Sequence, residues 1–264
     1  MPLNTRTVVV KVGGSTLGQN DTSLADLVTL QKHGVRVVVV HGGGSEVSKW
    51  LKRLDLGTQF VDGLRVTGIH ELPVVTGILA GLVNKQLVCH LQALGGSAVG
   101  LSGVDGLTIR AEIGKPELGY VGQVSEVNTE TLAALLDAGF VPVVSPISYG
   151  EIDGAPTLLN VNADDVAAEI AGALGADSLI YLTDVPGIMD GAGSVFHRLS
   201  VSQAEALVAD GTIRGGMIPK ARACMTASRS TRETRIIDGT VEHALVSELE
   251  QNTGGTTIVR DELA

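Results

Sequence analysis

Aromatic side chains are scarce here: three Phe, three Tyr and one Trp make 3% of 264 residues, while hydrophobic residues total 44%. The core is therefore expected to be aliphatic. Cysteine is equally rare. Cys89 and Cys224 are the only two, and neither sits in a C-x-x-C pair, so a disulfide framework is not expected and a cytoplasmic setting is. The six histidines lack the spacing to cysteine or carboxylate that zinc requires. Basic residues are outnumbered 19 to 29, giving a net charge of −10. That balance lacks the broad positive footprint of a nucleic-acid binder, and it obliges any anionic ligand to be held by local positive groups.

Other absences narrow the chemistry. The opening "MPLNTRTVVVKVGG" is too short in apolar residues for a signal peptide, and no run is expected to span a membrane. No G-x-x-x-x-G-K occurs, nor does a strand lead into G-x-G-x-x-G, which excludes a P-loop and a dinucleotide fingerprint. One "HGGG" stands without a G-x-S-x-G elbow, so a hydrolase is excluded.

What is abundant is glycine, 34 residues. Apolar runs such as "TVVVKV", "VRVVVV", "SAVGLS", "VPVVSPI", "SLIYLT", "TRII" and "TTIV" are solid rather than alternating, as in parallel strands covered on both faces. Between them lie helical stretches ending at glycine, including "SLADLVTLQKHG" and "TETLAALLDAGF". The repeated strand–helix–glycine order predicts an α/β fold of βαβ units. "ELPVVTGILAGLVNKQLVCHLQALGG" is apolar nearly all round and predicts a helix buried on more than one side, either as a core helix or as a subunit interface. Gly77 and Gly81 would let another backbone approach it. A boundary near "GALGAD" predicts two lobes, 1–174 and 175–264, sharing one sheet or a tight interface.

Several charged groups need an explanation. Lys11 interrupts a run of valines, and an unpaired buried ammonium costs several kcal/mol. It either reaches beyond the strand end or has an anionic partner. Gly13 and Gly14 follow the first strand. Gly42 to Gly44 follow the second and lead into "SEVSKWLKRL", where free backbone N–H groups at a helix start favour an anion. Arg65 in "DGLRVT" suits a carboxylate. Asn160, Asn162, Asp164 and Asp165 crowd the mouth of a helix, more than capping alone requires. Lys220 in "GGMIPKARACMTA" stands at a helix start, where a cation opposes the dipole unless a phosphate justifies it.

Taken in order, "KVGGS", "VHGGGSEVSKWLKRL", "DGLRVT", "AGLVNKQLV", "LNVNADDVAAEIAGALGA", "LTDVPGI" and "GGMIPKARACMTA" resemble the amino acid kinase family, in its branch that phosphorylates acetylglutamate. The resemblance implies a three-layer αβα sandwich on a mainly parallel sheet of about eight strands. It implies an N-terminal lobe for N-acetyl-L-glutamate and dimerisation, and a C-terminal lobe for MgATP. It implies that Lys11 and Lys220 are transition-state lysines held by Asp164, with Gly14 and Gly44 donating N–H groups to the moving phosphoryl. Gly43, Gly44, Arg65 and Asn160 would bind the acyl amino acid. Lys11, Gly13, Thr183, Asp184, Val185, Gly187, Ile188, Gly215, Gly216, Met217 and Lys220 would border the nucleotide. Mg²⁺ would be held by phosphates and water rather than by a protein carboxylate cage. Asp62 departs from the Asn more usual before "GLRVT". Ten residues precede Lys11, so a homodimer insensitive to arginine is expected. The rival activities are a kinase for acetylaminoadipate or carrier-linked aminoadipate, and a silent ligand sensor.

Overall fold

A computed structural model describes residues 6–13, 22–251 and 254–263. The first part of the chain runs β1 (Thr7–Val12), α1 (Ser23–Lys32), β2 (Arg36–His41), α2 (Gly44–Arg53), a small hairpin β3 (Phe60–Val61) and β4 (Leu64–Arg65), then α3 (Leu72–Thr76). A π-helical turn, Gly77–Val83, joins α3 to α4 (Asn84–Ala93), and β5 (Ala98–Ser102) follows. The middle holds β6 (Ile109–Ile113), β7 (Val121–Val127), α5 (Glu130–Asp137), β8 (Val141–Ser145), β9 (Ile147–Ile152), β10 (Ala155–Val161) and α6 (Ala163–Ala173). The last part is β11 (Ser178–Thr183), β12 (Arg198–Ser200), α7 (Val201–Ala209), α8 (Met217–Ala227), β13 (Glu233–Asp238), α9 (Ala244–Gln251) and β14 (Thr256–Val259).

Eight strands form one sheet in the order β12-β14-β13-β11-β1-β2-β8-β5. It is mainly parallel, with β13 against β14 as an antiparallel pair. The solid valine runs are its centre: Val8, Val9 and Val10 of β1 and Val38, Val39 and Val40 of β2 are fully buried. Their alternation builds the three layers. Val8, Val10 and Val12 pack with Leu27 of α1, Val47 of α2 and Leu87 of α4, whereas Val9 joins Leu132 of α5, Val166 of α6 and Cys224 of α8. Lys11 has the parity of Val9, so its side chain is delivered to the α6–α8 face.

Two expectations need correction. The apolar runs omitted a small closed barrel, β10-β7-β6-β9. Its strands carry charges on their outward positions, as in "IRAEI" and "VGQVSEV", and so do not read as continuous apolar runs. Second, Leu72–Ala93 is a 22-residue helix long and apolar enough, by length and composition, to cross a membrane. It lies on the sheet instead, with Leu72, Val75, Leu79, Leu87 and Leu91 buried in the core. The chain itself covers this helix on one side. Pro73, Gly77 and Cys89 stay exposed, and apart from the helix's own backbone no described residue places an atom within 4 Å of a Cβ added at Gly77 or Gly81.

Candidate active site

The carboxyl ends of the parallel strands β1, β2 and β11 lie at one edge of the sheet, where parallel sheets bind ligands. Its centre is Asp164, the second residue of α6. Asn162 caps that helix, its side chain accepting from the Asp164 N–H at 2.8 Å. The buried Tyr181 hydroxyl of β11 donates to the Asp164 carbonyl at 2.9 Å. Lys11 Nζ lies 2.7 Å from Asp164 Oδ1, and Lys220 Nζ lies 3.3 Å from Oδ2. Asp164 is 5% exposed and Lys11 7%. Burial pushes the Asp164 carboxyl up, but the adjoining ammonium groups of Lys11 and Lys220 outweigh it and hold the carboxyl below its ordinary range. The trio carries a net charge of +1 by arithmetic, two ammonium groups against one carboxylate, in a chain of net charge −10.

Two cavities adjoin this trio: Lys220 lines one, and Asn162 and Ala163, just before Asp164, line the other. The larger, ≈ 630 Å³, is lined by Thr183, Asp184, Val185, Gly187, Ile188, Gly216, Met217 and Lys220, all foreseen for a nucleotide. Lys11, Gly13 and Gly215 do not line it. Lys11 is turned to Asp164, and Gly215 holds a φ of +59° in the turn that starts α8. A second wall, from Asp210 to Ile213, is added by the structure. It follows α7 in a turn whose polar residues look like ordinary loop sequence. Thr183 braces the first wall, its hydroxyl donating to a backbone carbonyl and accepting from the Val185 N–H at 3.3 Å.

The smaller cavity, ≈ 190 Å³, brings together Gly43, Gly44, Arg65 and Asn160. Asn162 and Ala163, just before Asp164, also line it. Arg65 Nη2 donates to the Gly44 carbonyl at 2.8 Å and to Ser48 Oγ at 2.7 Å, and the Phe60 ring lies 4.8 Å from the guanidinium. Arg65 Nη1 is buried without a hydrogen-bond partner among the described residues, an orphan donor that an anionic guest would satisfy. Asn160 Nδ2 donates to Thr67 Oγ1 at 3.1 Å, while its Oδ1 can accept from an amide N–H. Val47, Val75 and Leu79 give the cavity an apolar wall. Asp62 is paired with Lys115 at 3.0 Å in the hairpin turn, so its charge is offset locally. Gly14 lies outside the described residues.

A family model described as the amino acid kinase family matches residues 6–238. The chain belongs to the amino acid kinase family. Within it, the chain is 47% identical over 259 residues to a protein of Dehalococcoides mccartyi (strain CBDB1) named acetylglutamate kinase, covering 97% of this chain and 95% of that one. It is 42% identical over 257 residues to a protein of the same name from Thermosynechococcus vestitus, covering 94% and 86%. A solved protein of Streptococcus mutans UA159 superposes with a TM-score of 0.83 at 28% identity, over 97% of this chain and 99% of that one. The kinase fold and the kinase class are therefore established for this chain.

Proposed function

We infer that this kinase phosphorylates the γ-carboxylate of N-acetyl-L-glutamate with ATP, giving N-acetylglutamyl 5-phosphate for arginine biosynthesis. The observation that carries the reading is one carboxylate, Asp164, holding two ammonium groups between a nucleotide-sized cavity and a small cavity with an unsatisfied guanidinium. The relatives' shared name supports the acceptor.

The reaction brings two anions together, so repulsion is the barrier and placed positive charge is the remedy. At about 4 Å and an effective dielectric of about 20, a lysine–phosphate contact contributes about 4 kcal/mol before desolvation. Lys11 and Lys220 supply two such contacts, and Asp164 keeps both aimed when no phosphate is bound. The acceptor carboxylate is already ionised at neutral pH, so the transfer needs no general base. Arg65 takes the other carboxylate of the acyl amino acid, Asn160 its amide, and Gly43 and Gly44 their share of N–H contacts. Gly44 donates its N–H to the moving phosphoryl, while Gly13 and the 183–188 and 215–217 segments border the nucleotide.

Mg²⁺ fits this arrangement as a companion of ATP. Among the described residues no cluster of three or more His, Cys, Asp or Glu could hold a metal alone. Asp184, exposed at the nucleotide cavity, would hold a phosphate-bound ion there. When bound, the ion offsets polyphosphate charge.

The same reading assigns residues 1–174 to the acyl amino acid and 175–264 to the nucleotide, a division supported by where the two cavities fall. Two free thiols, Cys89 and Cys224, support a cytoplasmic location. The uncovered face of Leu72–Ala93 supports a homodimer, which light scattering tests. The activity is tested by trapping the acyl phosphate with hydroxylamine after incubation with ATP. Hydroxamate from N-acetylglutamate and little from acetylaminoadipate is the expected result. The reverse preference, or nucleotide binding with no ADP formed, would overturn it.

A further inference from the structure

His41 precedes the Gly42–Gly44 turn and is 1% exposed. It shares parity with Val37 and Val39, which pack on the α1–α4 face, so its ring lies on the side of the sheet away from Asp164. The ring has two close partners. Nδ1 stands 2.8 Å from the Gly42 carbonyl, and a carbonyl only accepts, so Nδ1 carries the proton. Nε2 stands 3.1 Å from Asn84 Nδ2. The orientation of that amide follows from its other contacts: Nδ2 donates to the Val143 carbonyl at 2.8 Å, and Oδ1 accepts from Lys85 Nζ at 3.0 Å. Nε2 is therefore the bare, accepting nitrogen. Burial drives the ring's pKa down to about 4, the Gly42 hydrogen bond opposes this, and Lys85 and Lys11 add to it, so the ring is neutral.

The backbone explains why these groups meet. A Cβ on Gly43 would lie 2.9 Å from Leu79 Cδ2 and 3.3 Å from Val83 Cγ2, both in the π-helical turn. Asn84 is the next residue. The wider turn therefore presses on the glycine loop and presents Asn84 to His41, a use typical of π-bulges near functional sites. On the other side, a Cβ on Gly100 of β5 would lie 2.0 Å from Asn84 Oδ1, so glycine there admits the amide. The Gly42–Gly43 peptide is planar and trans, so its carbonyl and N–H point opposite ways.

We propose that His41 is a positioning residue: held as the Nδ1–H tautomer by Asn84, it pins the Gly42 carbonyl, so aims the Gly43 N–H at the reacting anions and steadies the turn that carries the Gly44 N–H. This rests on the reading above, in which those amides face substrate and phosphoryl oxygens.

Three variants and one spectrum test it. His41→Asn keeps a donor near the Nδ1 position, His41→Gln moves the amide to the Nε2 position and loses the Gly42 bond, and His41→Leu loses both. We expect kcat to fall about tenfold in His41→Leu and His41→Gln, with the KM for N-acetylglutamate within about threefold and most of kcat kept in His41→Asn. In the wild type, ¹⁵N NMR of the imidazole is expected to show a protonated Nδ1, a bare Nε2 and no titration from about pH 5.5 upward. An Nε2–H tautomer, equal losses in all three variants, or a kcat in His41→Gln matching His41→Asn would overturn the proposal. Should His41→Leu fail to fold, the Asn–Gln comparison decides. Failure of the wild type to turn over N-acetylglutamate would instead overturn the substrate reading, and the spectrum would still report the tautomer.

Discussion

Lys11 Nζ sits 2.7 Å from Asp164 Oδ1, each side chain less than a tenth exposed. The lysine that interrupts the first valine strand thus has a fixed anionic partner, and that partner also holds Lys220. Removing one member of a buried pair leaves the other charge uncompensated. Asp164→Asn keeps the shape and removes the charge, leaving two ammonium groups facing a neutral amide. The expected cost is about 3 kcal/mol of stability, at the low end of such losses because Lys220 is a quarter exposed. Urea denaturation reads this directly, and kcat is expected to fall about 100-fold in the same variant.

Arg65 is held by Gly44 and Ser48 through one nitrogen while the other is buried and unused. A hydrogen bond to a charged group contributes about 1.5–3 kcal/mol. Arg65→Ala should therefore raise the KM for N-acetylglutamate about 10- to 100-fold, with the KM for ATP nearly unchanged. Arg65→Lys should recover little, since an ammonium lacks the fork. Steady-state kinetics with each substrate varied in turn checks both.

Acid and base act on different contacts. The depressed Asp164 carboxyl contributes stability that is present above the unfolded carboxylate value of about 3.9 and is lost as pH falls through the folded value. Asp164→Asn should flatten that acid limb. The hydrogen bond and charge of Asp26 raise the His243 pKa, with Nδ1 2.7 Å from Asp26 Oδ1. A raised folded value means the contribution is complete below about pH 6.5 and fades as pH rises through the folded value. His243→Gln should lower Tm at about pH 6 and have less effect at about pH 9, which thermal melts across that range measure.

The uncovered side of Leu72–Ala93 gives another expectation. Gly81→Arg adds bulk and charge where, apart from the helix's own backbone, no described residue places an atom within 4 Å of the new Cβ, so folding should be kept. Light scattering should then show the variant shifted towards monomer relative to the wild type.

Much of this was legible before any coordinates, for a physical reason. A buried lysine must be paired, and glycine turns leading into a helix favour an anion, so Lys11 and the Gly42–Gly44 turn drew attention on physical grounds. The roles expected of Arg65, Asn160, Asp164 and Lys220 rested on the resemblance to the amino acid kinase family. Strand parity, once β1 is placed, puts Lys11 on the α6–α8 face. What stayed hidden depends on contacts distant in sequence. The barrel strands β6, β7, β9 and β10 carry polar outward residues and lack the solid apolar signature. The Asp210–Ile213 wall comes from a turn of common loop composition. His41 and Asn84 are 43 positions apart, and their meeting needs a π-helical turn that no periodicity announces.

The most direct test of two ammonium groups easing the meeting of two anions is a coupled assay of Lys220→Ala with N-acetylglutamate and ATP. The account predicts a kcat lowered at least about 100-fold with the KM for N-acetylglutamate within about threefold. A kcat close to that of the wild type would contradict it.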